Sequence, residues 1–265
     1  MYMKALEEGD TPFNNLGLLY EKQKKYDKAE EYFLKAIQNG DNAFYNLGVF
    51  YDGQQKYDKA EQIFFKALEF GDKRAFNNLG ILYSKQQKYD KAEQMFLRAI
   101  ENGNTNAMYN LGNWYGKSGL FSKAEAYLKT ASENGHLKAT YNLALLYSRA
   151  GSKYYSQSEK YFKLASEKGL IEATNNLGIL YKNKKKYAEA EKYFKNALEM
   201  LIQKPDYKSD TENLEGLIND NLGDLYKEMK KYDESEKYYK QAIKTKFKKA
   251  EEDLQDLYKL MKNKK

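Results

Sequence analysis

A short motif of asparagine, leucine and a small residue recurs along the chain, and its spacing constrains the fold more than any other feature. A tyrosine follows three residues after the small residue every time, and the small residue is glycine except at Ala144. The leucines are separated by 31, 32, 32, 32, 34 and 45 residues. A repeat of this length predicts a solenoid, in which each unit buries its apolar face against its neighbours. The motifs begin at Asn15, Asn46, Asn78, Asn110, Asn142, Asn176 and Asn221.

Each repeat carries two segments with helical periodicity. In the second repeat the first apolar stripe is Ala43, Leu47, Phe50 and Tyr51, spaced i, i+4, i+7 and i+8. A polar turn follows at 53–56, and then a second stripe of helical spacing. Two such segments joined by a short turn predict an antiparallel helix pair. The second stripe consists of Tyr57, Ala60, Ile63, Phe64, Ala67 and Leu68.

Glycine followed by a polar residue marks the junction between repeats. Gly71 is predicted to end the second helix in the left-handed conformation, which glycine adopts at little cost. Asp72 is then predicted to cap the next helix by accepting a backbone N–H. A glycine followed by aspartate or asparagine recurs at 9–10, 40–41 and 103–104.

The glycine of the motif lies inside a predicted helix, where it costs about 1 kcal/mol of helix propensity. We expect a close approach of the second helix to offset that cost. The small residues of the second helix would form the matching surface, at Ala29, Ala60, Ala92, Ala124 and Ala190. Large side chains would fill the remaining core, at Phe33, Phe64, Phe96, Leu128, Phe162, Phe194 and Tyr239.

The order of these residues resembles the tetratricopeptide repeat. In the second repeat the matching positions are Leu47, Gly48, Tyr51, Ala60, Phe64 and Ala67. The junctions lack the proline of that family, and 66–75 and 131–139 are similar to Sel1-like repeats, down to the pair Gly135-His136. The resemblance implies an all-α fold, a right-handed α-solenoid of antiparallel helix pairs. It also implies a scaffold for protein–protein interaction, since such arrays offer extended concave surfaces.

The whole chain, 1–265, is predicted to be one repeat domain. Residues 1–9 match the end of a second helix, so they are interpreted as the remnant of a preceding repeat in a longer protein. Seven repeats cover about 10–247, with two extra residues at 151–152 and a long insertion at 199–216. Residues 248–265 are predicted to form a capping helix and tail. The uncapped N-terminus predicts end-to-end self-association.

Composition excludes several classes of protein. The chain has no cysteine and two prolines, which excludes disulfide frameworks and cysteine-based zinc sites and fits a cytoplasmic location. No apolar run has the length of a membrane span. A single histidine, His136, and the absence of a phosphate loop or catalytic triad predict no enzyme, no metal and no cofactor. The carboxylates, such as Glu30 and Glu61, are interpreted as part of the solvated surface.

The asparagines that begin the motifs, here called the asparagine ladder, are the first candidate site. By resemblance they line the inner surface and bind an extended peptide, since an amide offers both a donor and an acceptor to a peptide backbone. The ladder consists of Asn15, Asn46, Asn78, Asn110, Asn142, Asn176 and Asn221. The structural alternative is that these side chains hydrogen-bond only to neighbouring helices and keep the repeats in register.

The residue before each ladder asparagine forms a second candidate row. It is tyrosine at Tyr45, Tyr109 and Tyr141, and otherwise asparagine or, at Asp220, aspartate. Tyrosine and asparagine in one exposed stripe are typical of adaptable binding surfaces. The alternative is that the tyrosines shield the seam between repeats. Tetratricopeptide domains that clamp C-terminal carboxylates carry lysine in this row and asparagine three residues after the ladder position. No lysine occupies the row here and only Asn113 fits the second position, so the resemblance does not imply such a clamp.

Three functional hypotheses follow. The first is a scaffold whose concave surface binds an extended peptide or a partner helix. The second is a binder of nucleic acid or acidic surfaces that uses turn lysines and the tail at 262–265. Interspersed acidic residues count against it, because the net charge is only +7. The third is a self-assembling structural adaptor.

Overall fold

The computed structural model describes residues 13–209 and 213–262, which fall into two compact units, Met1–Asn134 and Gly135–Lys265. The first unit contains four helix pairs. Their helices are α1 Phe13–Lys22, α2 Tyr26–Gln38, α3 Phe44–Gly53, α4 Tyr57–Glu69, α5 Arg74–Lys85, α6 Tyr89–Glu101, α7 Thr105–Lys117 and α8 Phe121–Glu133.

The second unit contains three helix pairs and a final helix. Its helices are α9 Leu137–Arg149, α10 Tyr155–Glu167, α11 Ile171–Asn183, α12 Tyr187–Gln203, α13 Leu214–Glu228, α14 Tyr232–Lys244 and α15 Lys249–Lys262, with a 3₁₀ turn at Ser152–Tyr154 before α10. The described residues contain no β-strand, and the predicted all-α solenoid fold is confirmed. Residues 1–9 lie outside the described residues.

The two helices of a pair are joined by three-residue turns in every repeat except the fifth. Turns this short make consecutive helices antiparallel. One turn residue has a positive φ, which is unusual for a residue with a side chain. In the second repeat that residue is Gln55, at φ 58°, whereas Gly53 is still helical. The equivalent residues elsewhere are Lys24, Gln87, Gly119, Lys185 and Lys230.

A glycine with a positive φ follows the second helix in the first five repeats, as predicted, whereas Lys204 and Pro205 follow α12, and Lys246, at φ 64°, takes the glycine position after α14. Gly71 has a φ of 84°, in the left-handed region. The prediction of capping holds at Asn104, which is the N-cap of α7 and accepts the N–H of Ala107 at 3.0 Å. Asp72 accepts the N–H of Arg74, the first residue of α5, at 3.1 Å, but the N-cap of that helix is Lys73. It is wrong at Asp41, because α3 begins after Ala43 and has no side-chain cap.

The glycine of each motif lies directly beneath the large residue of the second helix. A Cβ added to Gly80 would lie 2.6 Å from Cδ1 of Phe96, and one added to Gly48 would lie 2.6 Å from Cδ1 of Phe64. Contacts this short do not occur between a Cβ and a ring, so the two helices approach closely only because the side chain is absent. The predicted reason for the glycines is confirmed.

Two repeats use serine where the others have alanine. Ser158 Oγ donates to the backbone carbonyl of Ala144 at 3.0 Å, and Ser235 Oγ donates to that of Gly223 at 2.8 Å. Both serines are fully buried. The hydroxyl thus ties the second helix to the first through an otherwise apolar contact, and its buried donor is satisfied.

The insertion between the sixth and seventh repeats is folded against the sixth. Helix α12 has 17 residues, against 13 for most second helices. In the loop that follows, Tyr207 Oη and Ser209 Oγ both donate to the carboxylate of Glu172, at 2.5 Å each. Glu172 is 5% exposed and lies in the first turn of α11. The loop is therefore fixed to the start of a first helix.

Candidate functional site

The asparagine ladder of the first unit is tied together by side-chain hydrogen bonds. Asn46 Nδ2 donates to Asn14 Oδ1 at 2.9 Å, across the seam between the first two repeats. Asn110 Nδ2 donates to Asn77 Oδ1 at 3.0 Å, between the third and fourth repeats. Each bond joins a ladder asparagine to the residue before the ladder position of the preceding repeat. Keeping adjacent repeats in register is thus one role of these amides.

The second unit repeats this geometry. Asn221 Nδ2 donates to Asn175 Oδ1 at 3.0 Å, and Asn176 Nδ2 donates to Tyr141 Oη at 2.8 Å. The tyrosine hydroxyl therefore replaces the amide oxygen as the acceptor. Asn142 also has an interaction partner.

Exposure changes along the ladder. Asn15 is exposed, Asn46, Asn78, Asn110, Asn142 and Asn176 are half-buried, and Asn221 is buried. The row before the ladder differs from the predicted exposed stripe, because Asn77, Asn175 and Asp220 are buried. They are covered because the next repeat packs on them and uses Asn77 and Asn175 as acceptors.

The candidate tyrosines Tyr45, Tyr109 and Tyr141 are half-buried. The guanidinium carbon of Arg74, from the third repeat, lies 4.1 Å from the ring centroid of Tyr45, an interaction between a cation and an aromatic face. The ring of Tyr45 also contacts Phe64 of its own repeat, with centroids 6.4 Å apart. These contacts favour the seam role for Tyr45 and leave part of its surface accessible.

A second set of contacts between repeats joins the motif tyrosines to glutamates. Tyr51 Oη donates to Glu30 Oε1 and Tyr83 Oη donates to Glu61 Oε1, both at 2.7 Å. Each glutamate belongs to the second helix of the preceding repeat. We call this set the tyrosine–glutamate seam, and it consists of Tyr51–Glu30, Tyr83–Glu61, Tyr115–Glu93, Tyr181–Glu159, Tyr226–Glu191 and Tyr258–Glu236.

The interpretation of Glu30 and Glu61 as solvated surface charges is therefore wrong. Their side chains extend across the seam, where the hydroxyl of a largely buried tyrosine donates to them. A signal for this contact is present in the sequence. Each repeat has a glutamate directly after the small residue of its second helix, at 29–30, 60–61, 92–93, 124–125, 158–159, 190–191 and 235–236.

Lysines lie close to the tyrosine–glutamate seam and affect the pKa values of its carboxyl and hydroxyl groups. Burial opposes ionisation of Glu159, but hydrogen bonds from Lys163, Lys184 and Tyr181 outweigh it and lower the pKa of Glu159 to about 2. The two lysine nitrogens lie 2.7 Å from carboxylate oxygens of Glu159. Burial and the bond to Glu159 raise the pKa of the Tyr181 hydroxyl to about 12. At physiological pH Glu159 is therefore an ionised carboxylate and Tyr181 is a neutral phenol.

Turn lysines take part in the same contacts, which weakens the hypothesis of a nucleic-acid or acidic-surface binder. Lys184 binds Glu159, and Lys56 lies 3.5 Å from Glu30 in the preceding repeat. Lys85, the last residue of α5, binds Asp52 of the preceding repeat at 2.7 Å, outside the tyrosine–glutamate seam. These cations already have acidic partners within the protein. The end of the predicted basic tail, at 263–265, lies outside the described residues.

The last helix continues both sets of contacts. Tyr258 Oη donates to Glu236 at 2.7 Å, as a motif tyrosine would. Lys249 Nζ bridges Asp220 at 2.9 Å and Asp253 at 2.7 Å, so a lysine takes the place of a ladder amide. Burial raises the pKa of Asp220, and the ion pair with Lys249 opposes that shift.

The single histidine has a structural position. His136 is the N-cap of α9, and its Nδ1 accepts the backbone N–H of Ala139 at 3.0 Å. Burial lowers its pKa. Within 13–209 and 213–262, no group of three or more His, Cys, Asp or Glu residues is placed to hold a metal ion. No helix in this part of the chain is both long and apolar enough to cross a bilayer.

Family models match the repeats one after another. Models described as "tetratricopeptide repeat" match residues 12–39, 41–70, 74–102 and 169–246, together more than half of the chain. The chain belongs to the tetratricopeptide repeat superfamily. The stretch 103–168, which no family model matches, contains Leu128 in place of phenylalanine and Ala144 in place of glycine. A search of curated proteins found no significant match.

Solved structures agree on the fold of this tetratricopeptide repeat protein. A protective antigen of uropathogenic Escherichia coli with an SLR fold aligns with a TM-score of 0.68 at 22% identity, over 97% of this chain and 59% of that one. The C-terminal part of a TPR repeat-containing protein from Cytophaga hutchinsonii aligns with a TM-score of 0.64 at 16% identity, over 90% and 98%. A Sel1 repeat protein from Oxalobacter formigenes aligns with a TM-score of 0.55 at 24% identity, over 76% and 86%.

The chain thus spans 59% of the length of that antigen. At these identities the likeness shows the fold alone. Superfamily membership supports a general role as a scaffold for protein interaction, since repeat arrays present extended binding surfaces. Such folds are typically not enzymes.

Proposed function

We propose that the protein is an interaction scaffold that binds an extended peptide of a partner protein on its concave surface, along the asparagine ladder. The observation that carries the proposal is the row of half-exposed amides in the first unit, held in fixed orientations by hydrogen bonds between repeats. Fixed side chains lose little conformational entropy on binding, which favours affinity.

The register bonds leave part of each amide available. An asparagine amide has two N–H donors and one carbonyl acceptor. Asn46 and Asn110 each use a donor in the seam, and no residue of 13–209 or 213–262 donates to their Oδ1 atoms. One N–H and the carbonyl oxygen can therefore pair with the N–H and C=O groups of a peptide backbone. One asparagine side chain can therefore keep the repeats in register and also bind a peptide backbone, the two alternatives that the sequence left open.

Aliphatic side chains lie one helical turn beyond the ladder. Leu18 is 42% exposed and Val49 is 38% exposed, three residues after Asn15 and Asn46 respectively. Ile81 occupies the same position in the third repeat. An apolar row beside an amide row supports binding to the backbone and to apolar side chains of one extended segment.

Selection of a random peptide library on the immobilised protein tests this function. The expected result is a family of enriched peptides that bind about tenfold more weakly, or worse, to a variant with Asn46→Ala, Asn78→Ala and Asn110→Ala. Loss of backbone hydrogen bonds in a half-buried groove has roughly this effect. The affinities are measured by isothermal titration calorimetry.

A matched control removes amides from another surface. Gln38, Gln62 and Gln94 are exposed and belong to the second helices α2, α4 and α6. Their simultaneous change to alanine should leave peptide affinity unchanged. Failure to enrich any peptide, or equal binding by both triple variants, would exclude the ladder as the binding surface.

A cytoplasmic location and self-association through the N-terminus remain predictions for this chain. Sedimentation velocity at increasing concentration measures the second of these directly.

A further inference from the structure

One carboxylate beside the asparagine ladder of the first unit has no cation to neutralise it. Glu21 lies six residues after Asn15 and three after the exposed Leu18, so the three side chains follow one slanting row along α1. The Glu21 side chain is half-buried. Its neighbour in sequence, Lys22, lies about 100° around the helix from it. In the described part of the chain, no basic group forms an ion pair with the carboxylate of Glu21.

The equivalent carboxylate of the second repeat does have a cation. Asp52 lies six residues after the ladder residue Asn46, and its two oxygens accept hydrogen bonds from Lys85 Nζ at 2.9 and 2.7 Å. Lys85 belongs to the third repeat and lies seven residues after the ladder residue Asn78. A lysine at this place on one first helix can therefore reach the carboxylate on the first helix of the preceding repeat.

The second unit uses the same two places with the charges reversed. Lys182 of the sixth repeat takes the carboxylate place and Glu228 of the seventh takes the lysine place, with the charged groups 3.7 Å apart. Between the third and fourth repeats the two places hold Ser84 and Lys117, so no carboxylate needs a cation there. Contact between the two places is thus a property of how the repeats stack.

A glycine stands where the cation for Glu21 would be. Gly53 lies seven residues after the ladder asparagine of the second repeat, as Lys85 does in the third, and it is the last residue of α3. A Cβ added to Gly53 would meet no neighbouring side chain or helix within 4 Å. The space that a lysine side chain would occupy is therefore open at its base.

The first two repeats stack as the second and third do. Tyr51 donates to Glu30 and Tyr83 donates to Glu61, both at 2.7 Å. The two places of the ion pair are therefore opposed between the first two repeats as well. Burial raises the pKa of Glu21, and no basic group opposes that shift, in agreement with a carboxylate that lacks its cation.

We propose that Glu21 and the open space at Gly53 form a subsite for a lysine or arginine side chain of the peptide that binds along the asparagine ladder. The cation takes the place that Lys85 occupies one repeat further along, and its alkyl chain can pack on Leu18, which is 42% exposed. The subsite rests on the proposed function and adds to it a basic residue at the end of the peptide nearest the first repeat. Charge complementarity of this kind contributes to specificity and register.

A double-mutant cycle tests the geometry without a peptide. Gly53→Lys supplies the missing cation, and Gly53→Ala controls for the loss of a glycine. By differential scanning calorimetry the lysine variant is expected to have a thermal midpoint roughly 1–2 °C above that of the alanine variant, the effect of one exposed ion pair. In the Glu21→Gln background this gain should disappear. No gain, or an equal gain in both backgrounds, would overturn the proposal.

Selection of a random peptide library on the immobilised variants tests the ligand. On the unaltered protein the enriched peptides are expected to carry lysine or arginine at one fixed place, and norleucine there should weaken binding about fivefold to tenfold. On Glu21→Gln and on Gly53→Lys this preference should be lost, since one lacks the carboxylate and the other neutralises it. Glu69→Gln, at an exposed carboxylate of α4, is the matched control and should keep the preference.

The outcomes distinguish this subsite from the proposed function. Enriched peptides without a basic residue, or with the same preference on every variant, would overturn the Glu21 subsite and leave peptide binding along the ladder intact. Loss of the preference on Glu21→Gln and Gly53→Lys, with unchanged affinity for the norleucine peptide, supports it. No enrichment on any of the proteins would contradict peptide binding itself, and the subsite with it.

Discussion

Replacing Phe96 by alanine is expected to lower the free energy of unfolding by about 3–5 kcal/mol. The ring is 2% exposed and covers Gly80, so its removal leaves a cavity between the two helices of the third repeat. The neighbouring repeats pack on this pair and limit its collapse. Urea unfolding followed by circular dichroism measures the change.

Phe65 provides the matched control, since it is an aromatic residue of α4 that is 42% exposed. Its change to alanine should cost less than about 1 kcal/mol. A second test reverses the geometry, because Gly80→Ala puts a Cβ 2.6 Å from the ring of Phe96. That variant should also be less stable, although alanine favours a helix by about 1 kcal/mol. Similar costs for Phe96→Ala and Phe65→Ala would contradict the packing described here.

Raising the pH from 10 to 12 is expected to destabilise the protein through the tyrosine–glutamate seam. Burial and hydrogen bonds to glutamate raise the pKa of Tyr181 and of Tyr226 to about 12, above the value of about 10 in an unfolded chain. A group with a raised pKa stabilises the fold fully below its unfolded value. That contribution is lost as the pH rises through the folded value. Each of these two tyrosines should contribute roughly 1–2 kcal/mol.

Urea midpoints between pH 8 and 12, together with phenolate absorbance at 295 nm, measure this loss. The double variant Tyr181→Phe, Tyr226→Phe should be less stable at pH 8, since it lacks two hydrogen bonds to carboxylates. Its stability should also fall less steeply above pH 10, because phenylalanine does not ionise. Equal slopes for the variant and the unaltered protein would show that the seam does not control alkaline unfolding.

The sequence predicts the fold of this chain well because the fold is built from local rules. Helical periodicity, the glycine beneath each large core residue and the left-handed glycines at junctions such as Gly71 are properties of residues close in the chain. The asparagine ladder was also visible, since it recurs at a fixed place beside Leu47 and its equivalents.

Contacts between repeats were harder to predict. Tyr51 and Glu30 are 21 residues apart and meet only after two repeats have stacked, so the recurring glutamate is visible in the sequence but its partner is not. Burial of Asn77 and Asn175 has the same origin, because the next repeat covers them. The contact between Tyr207 and Glu172 depends on the path of the insertion, which no repeat pattern specifies.

A matched pair of variants separates the two roles of the ladder amides, which are to bind a peptide and to keep the repeats in register. Asn77→Ala removes the acceptor of the bond from Asn110 but leaves the ladder amide, whereas Asn110→Ala removes the amide itself. Each should cost about 1 kcal/mol of stability.

The decisive measurement is the affinity of a selected peptide for these two variants by isothermal titration calorimetry. We predict that Asn110→Ala weakens binding about tenfold and that Asn77→Ala leaves it within about threefold of the unaltered protein. Equal peptide affinity for both variants and the unaltered protein would contradict peptide binding by the ladder. The ladder asparagines would then serve only to keep the repeats in register.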